Sequence, residues 1–140
     1  MLVNEMKEDA LFYVGQKGFI RKGRDILVLG DPKEGLDFPG GKIQEGETDL
    51  HEALKREIRE ETTLEVNVGK PFATWINTFP DHHPLAGKKV YLVGYICDYV
   101  SGDVKLSDEH NTFHWVNKDN YHEVNDGSTF FNILKTYFEM

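Results

Sequence analysis

A chain of 140 residues has room for one domain with a real core and not for two. Its net charge of −8 excludes a nonspecific nucleic-acid binder, because no basic stripe is present to neutralise a phosphate backbone. The same charge does not exclude a small phosphorylated ligand, since bound divalent ions invert the potential of an acidic cleft. No apolar run is long enough to span a bilayer, and Met1-Leu2-Val3-Asn4-Glu5 lacks the basic-then-apolar shape of a signal peptide. The expectation is a cytoplasmic protein with no membrane partner. The single cysteine, Cys97, cannot form an internal disulfide and is expected in the core.

In chain order, Leu11 to Val14 with Gly18 to Ile20 reads as a strand, Arg21 to Arg24 as a turn, and Asp25 to Leu29 as the next strand. Asp31 to Leu36 reads as a loop that delivers Asp37-Phe38-Pro39-Gly40-Gly41. A helix follows to about Thr62, opened by Asp49 and Glu52 at the spacing of a capping box. Glu65 to Val68, Phe72 to Thr78, Lys89 to Tyr99 and Phe113 to Val116 are rich in β-branched and aromatic residues and read as strands. A loop at Thr78 to Pro84 interrupts them. Ser128 caps a last helix whose Phe130, Ile133, Leu134, Tyr137 and Phe138 recur at helical spacing. The fold class is α+β, a single domain over 1–140 with two helices packed on a mostly antiparallel or mixed sheet.

The central helix carries the functional signal. At roughly 100° per residue with Leu50 at 0°, Leu54, Ile58 and Ala53 fall near 40°, 80° and 300° and define an apolar arc. Glu57 lands near 340° and Glu61 near 20°, inside that arc, with Glu60 on its edge near 280°. Buried carboxylates need a cation, hydrogen-bond donors or a wet cleft, and three at i, i+3 and i+4 repel one another. A hard divalent cation with oxygen ligands resolves both problems. The bland alternative is a solvated charge run with Arg56 and Arg59 as counterions.

These residues resemble the signature of the Nudix hydrolases, G-x5-E-x7-R-E-U-x-E-E-x-G-U with U a bulky apolar residue. Gly41, Glu47, Arg56-Glu57-Ile58-Arg59-Glu60-Glu61 and Leu64 fit it, and Phe38-Pro39-Gly40 matches the common lead-in. Two departures stand out. Eight residues rather than seven separate Glu47 from Arg56, and Thr63 replaces the usual glycine. The extra residue is assigned to the loop around Thr48-Asp49. Because a β-branched residue tolerates a left-handed helix end poorly, the helix is expected to end differently, running on toward the strand at Leu64.

The resemblance implies an α/β/α sandwich with a mixed sheet, and a Mg²⁺-dependent pyrophosphohydrolase for which Mn²⁺ is a substitute. It implies as substrate a small nucleotide-type molecule, a nucleoside diphosphate linked to another moiety. It also permits a catalytically inactive nucleotide-binding or regulatory module of the same fold, and a homodimer is compatible with it. Glu57, Glu60, Glu61 and the carbonyl of Gly41 are the implied metal ligands. Arg56 is similar to the arginine that orients the glutamates, and Glu47 to its structural partner, although Glu47 also reads as a surface acid at a helix start. Glu109, in Ser107-Asp108-Glu109-His110, is similar in context to a distal catalytic acid of the family, or is part of a charged turn. Phe38 and Phe79 are the candidates for stacking on a base. Trp75 reads rather as core, and adjacent His82 and His83 as contacts to phosphate rather than a metal pair.

Overall fold

Alternation of apolar residues decides where the strands go. β1 (Tyr13–Lys22) and β2 (Asp25–Asp31) form a hairpin in the computed structural model, which describes residues 7–31 and 35–140. The N-terminal pentapeptide and the middle of the Asp31 to Leu36 loop lie outside the described residues. Arg21 pairs with Ile26 and Lys22 with Asp25, so the expected four-residue turn narrows to Gly23-Arg24, with Gly23 at φ 60°. Leu11 lies before the strand and is exposed.

Where only loop is expected, Gly35–Asp37 forms a short β3 on β2, with Asp37 opposite Leu29. β4 (Gly40–Lys42) pairs with β1. After α1 (Leu50–Thr62), the two expected strands are one, β5 (Glu65–Thr78). Register shifts on both sides of Pro71 let the strand continue past a residue that has no N–H to donate. β6 (Lys89–Ser101) and β7 (Thr112–Val116) follow, then a 3₁₀ turn at Tyr121–Val124 and α2 (Thr129–Glu139). Ser128 caps α2 as expected, its Oγ accepting from the Phe131 N–H at 3.2 Å.

The sheet runs β3-β2-β1-β6-β5, with β4 joined to β1 and β7 to β2. It is mixed, because β1 and β6 are parallel while the other pairs are antiparallel. Period-two alternation splits the core into two layers. Phe19, Ile26 and Val28 pack with Leu134 of α2, whereas Ile20, Leu27 and Leu29 pack with Leu54 and Ile58 of α1. One helix therefore covers each face. The architecture is the expected α+β sandwich, and Cys97 is wholly buried in the α1 layer.

Two expectations about α1 are corrected. Leu50, the reference of the helical wheel, is 40% exposed, so the buried arc centres on Leu54, Ile58 and Glu61. The helix also keeps its left-handed end: Thr63 sits at φ 65°, ψ 4°. That conformation costs a β-branched residue roughly 1–2 kcal/mol. Two bonds offset it, from Thr63 N to the Arg59 carbonyl at 2.9 Å and from Thr63 Oγ1 to the Asp103 carbonyl at 2.6 Å.

Candidate active site

The Asp49 carboxylate accepts the Glu52 N–H at 3.1 Å and fixes the first turn of α1, so the additional residue of the motif is absorbed before the helix. Two turns on, Arg56 ties three acids together. Its Nη2 donates to Glu47 Oε2 and Glu57 Oε1, both at 3.1 Å, and its Nη1 to both oxygens of Glu60 at 3.0 Å. Glu47 also accepts the Gln44 N–H at 2.7 Å, and these two partners hold its carboxyl below the usual range. Arg56 is thus bonded to Glu47, Glu57 and Glu60 at once.

The strand β4 brings backbone against this face of the helix. Gly40 N donates to Glu61 Oε2 at 2.8 Å, and the Glu57 carboxylate packs on Gly41 so closely that a Cβ there would lie 2.8 Å from it. Glycine at 41 therefore makes room for an acid as well as for a ligand approaching the main chain. Glu60 differs from the other two. It is exposed, engaged with Arg56, and absent from the cleft that Glu57 and Glu61 enter.

A further acid arrives from far along the chain because the segment after β6 is fastened to the end of α1. Lys105 N donates to the Thr62 carbonyl at 3.0 Å and Ser107 N to that of Glu61 at 3.2 Å, which also satisfies carbonyls the helix leaves open. The fastening sets Glu109 and His110 beside Glu61: one ligand atom from each lies within 4.8 Å of the others. Asn111 N then bonds the Gly30 carbonyl at 3.0 Å and starts the approach to β7.

Behind this cluster lies a buried chain of polar groups that sequence reasoning missed. Lys17 Nζ stands 3.0 Å from Asp37 Oδ1, and Asp37 Oδ2 stands 2.9 Å from His110 Nε2. Burial opposes the charge on Asp37, but Lys17 and His110 outweigh it and hold the carboxyl below its ordinary value. Burial likewise opposes the charge on Lys17, and Asp37 and Glu61 outweigh it and hold the ammonium above. Lys17 interrupts the apolar run of β1 and so carried a visible signal. Asp37 and His110 carried none, because their partners are 73 residues apart.

Burial governs the titration of the glutamates. Burial raises Glu57 despite Arg56. Glu61 is pushed up to about 9 by burial, with a hydrogen bond to Glu109 and the charge of Asp37 adding to the rise against Lys17 and the Gly40 N–H. Acids this crowded hold a proton among them unless a cation replaces it. The donor set of carboxylates with an open backbone approach at Gly41 fits a divalent ion.

The cluster forms one wall of a cleft of about 970 Å³, which is ample for a nucleotide. The cleft is also lined by the hairpin at residues 79–88, closed by bonds between Phe79 and Lys88 (2.9 Å) and Gly87 and Phe79 (3.1 Å). Phe79 lines the cleft with the His83 ring stacked on it at 4.5 Å, and Lys42 Nζ lies 5.6 Å from its centroid. His83 Nδ1 accepts the Leu85 N–H at 3.0 Å and so braces the hairpin, while His82 also lines the cleft. Phe38 is corrected: it is fully buried, stacked on Phe19 at 4.1 Å, and has no face to offer a base. Trp75 is core, as expected.

Solved structures of known proteins share this fold. The MutT protein of Methanosarcina mazei Go1 superposes with a TM-score of 0.77 at 24% identity, covering 95% of this chain and 96% of that one. The MutT protein of Bacillus halodurans gives 0.70 at 23% identity, with 92% and 84% covered. An Ap4A hydrolase of C. elegans gives 0.68 at 18% identity, with 89% and 94% covered. No curated protein matches the chain. Its sequence matches the NUDIX domain family over residues 15–132, and the chain therefore belongs to the Nudix family of hydrolases.

Proposed function

We propose that the protein is a Mg²⁺-dependent pyrophosphohydrolase that cleaves the diphosphate linkage of a nucleoside diphosphate joined to another moiety, with Mn²⁺ able to replace Mg²⁺. The observation that carries this reading is the convergence of Glu57, Glu61 and Glu109 on one wall of a nucleotide-sized cleft. A polyphosphate would be repelled from such a wall by itself, so the acids make sense as holders of a cation that a phosphate chain then joins.

Glu57, Glu61 and the Gly41 carbonyl would hold the ion, and Glu60 would join them on exchanging its bond with Arg56 for the cleft. The ion supplies charge neutralisation on the phosphoryl oxygens and a lowered pKa for the attacking water. The chain's own residues do the rest. Arg56 keeps Glu57 in orientation through its bonds to Glu47 and Glu57. Glu109, exposed at the cleft and beside Glu61, would accept the proton of the attacking water. Lys17 and Lys42 reach the cleft as the cations for the phosphate chain, and Phe79, with Phe130 also in the lining, is the aromatic expected to meet a base. The C. elegans relative, by its name, acts on Ap4A, which places dinucleoside polyphosphates among the substrates to try.

The test is to incubate the purified protein with magnesium and nucleoside triphosphates, nucleotide sugars and dinucleoside polyphosphates, separating the products by chromatography. Magnesium-dependent cleavage of one class, lost in Glu57→Gln and reduced in Glu109→Gln with unchanged melting temperature, is the expected result. Full turnover in Glu57→Gln, or equal turnover in excess chelator, would overturn the proposal.

A further inference from the structure

Three groups in the cleft are not explained by the Nudix signature: His110, Asp37 and Lys17. His110 is the informative one. Its side chain is 2% exposed, its Nε2 is engaged by Asp37, and its Nδ1 is buried with no hydrogen-bond partner. An orphaned buried acceptor costs about 1–3 kcal/mol, so a structure that retains one calls for a reason. A ring nitrogen of the same histidine lies within 4.8 Å of carboxylate oxygens of both Glu61 and Glu109.

We infer that His110 Nδ1 completes, with Glu61 and Glu109, a nitrogen-containing metal position that favours a first-row transition ion over Mg²⁺. The inference rests on the proposed hydrolase only in sharing Glu61 and Glu109 with it.

The chemistry of the support explains how the nitrogen is kept available. Asp37 Oδ2 engages His110 Nε2 at 2.9 Å, which leaves Nδ1 as the ring nitrogen open to a ligand. Lys17, 3.0 Å from the other oxygen of Asp37, keeps that carboxylate ionised and in place. A carboxylate that grips the distal nitrogen of a metal-binding histidine is a recurrent device for fixing ring orientation and raising ligand basicity. Donors at roughly 2.0–2.2 Å from an ion are about 3.0–3.5 Å apart, so ligand atoms separated by up to 4.8 Å draw together on binding. Glu109, exposed and on a loop, is the side chain free to make that movement. Imidazole is a poor ligand for Mg²⁺ and a good one for the later divalent ions, which gives the position its preference.

The test uses the full chain without a histidine tag. MnCl₂ is added to one equivalent, and pulsed electron paramagnetic resonance is used to detect ¹⁴N coupled to the bound ion. Calorimetry gives the dissociation constants for MnCl₂ and MgCl₂. His110→Gln is the variant, because its amide reaches toward Asp37 while Nδ1 is lost. The expected result is ¹⁴N coupling in the wild type that disappears in His110→Gln. Mn²⁺ binding weakens by about 10- to 100-fold in the variant while Mg²⁺ binding changes less than about 3-fold. Absence of coupling in the wild type, as when a water alone satisfies Nδ1, overturns the inference, and so does coupling undiminished in the variant. If His110→Gln does not fold, the ¹⁵N spectrum of the wild-type imidazoles decides. A His110 Nδ1 resonance displaced by one equivalent of ZnCl₂ supports the site, and an unmoved one sinks it. Turnover with Mg²⁺ but no nitrogen coupling would remove this inference alone. Coupling without turnover would leave the metal position and remove the hydrolase.

Discussion

Gly40 and Gly41 are neighbours in β4, yet adding one methyl group to each has different consequences, and the difference separates function from folding. At Gly40, φ is 147° and a Cβ would lie 2.0 Å from the Gln16 carbonyl oxygen, in the backbone of the central strand β1. Neither strand can yield without breaking the sheet, so Gly40→Ala is expected to cost about 3 kcal/mol or more. At Gly41, φ is outside the left-handed region and the obstruction is the Glu57 carboxyl, the far end of a flexible side chain, at 2.8 Å. That carboxyl regains ordinary contact by retreating roughly 0.6 Å, and since a 1 Å misplacement in a catalytic site costs about 100-fold, turnover falls about 10-fold or more. Folding is nearly untouched, with a melting temperature within about 3 °C of the wild type, because Gly→Ala at a permitted conformation restricts the unfolded chain. Thermal melts without metal, magnesium-dependent turnover and the magnesium-induced rise in melting temperature together make the assay. Gly41→Ala with wild-type turnover and a wild-type magnesium response would refute the argument that this glycine makes room for Glu57. So would a Gly41→Ala protein as unstable as Gly40→Ala.

Glu61→Gln tests the electrostatics of the metal-free site. The native carboxyl titrates at about 9 against an ordinary 4.5, so between those values the folded protein holds a proton that the unfolded chain has released. Stability must then fall as pH rises through that window, and a glutamine, which does not titrate, removes that slope. Glu61→Gln is expected to melt with the wild type at pH 5, above it at pH 8, and without any magnesium-induced rise. A variant less stable than the wild type at pH 8 would contradict the assignment. At the end of α1, Thr63→Ala keeps the left-handed strain and loses the bond to the Asp103 carbonyl, for a loss of about 1 kcal/mol in denaturant unfolding. Thr63→Gly relieves the strain and loses the same bond, and is expected within about 0.5 kcal/mol of the wild type.

What the sequence made legible is whatever a local rule decides. Strand alternation, the cap at Asp49 and the apolar spacing of α2 each depend on residues within a few positions of one another, and each is found where the pattern places it. The inward turn of Glu57 and Glu61 is of the same kind, because a helix of known pitch fixes it. Phe38 was misread for the opposite reason. An aromatic residue beside a glycine-rich loop satisfies the local pattern for a stacking platform, and only the tertiary placement of Phe19 across from it decides that the ring is core. Thr63 departs from the expectation because local propensity does not decide its conformation: a carbonyl 40 residues away supplies a compensating bond.

The polar chain from Lys17 through Asp37 to His110 shows why the most consequential part of the site was hardest to read. No two of its members are close in sequence, and each has an ordinary local explanation: a strand cation, a loop acid, a histidine beside an acidic turn. Their proximity follows from β1, β2 and β3 lying side by side and from the segment at 102–111 being fastened to the last carbonyls of α1. Through that fastening, the helix that carries Glu57 and Glu61 also positions Glu109 and His110. The acids Glu57, Glu61 and Glu109, with His110, come from two distant segments that meet at one helix end, and a change at either fastening bond, Lys105 to Thr62 or Ser107 to Glu61, would be felt at all four side chains.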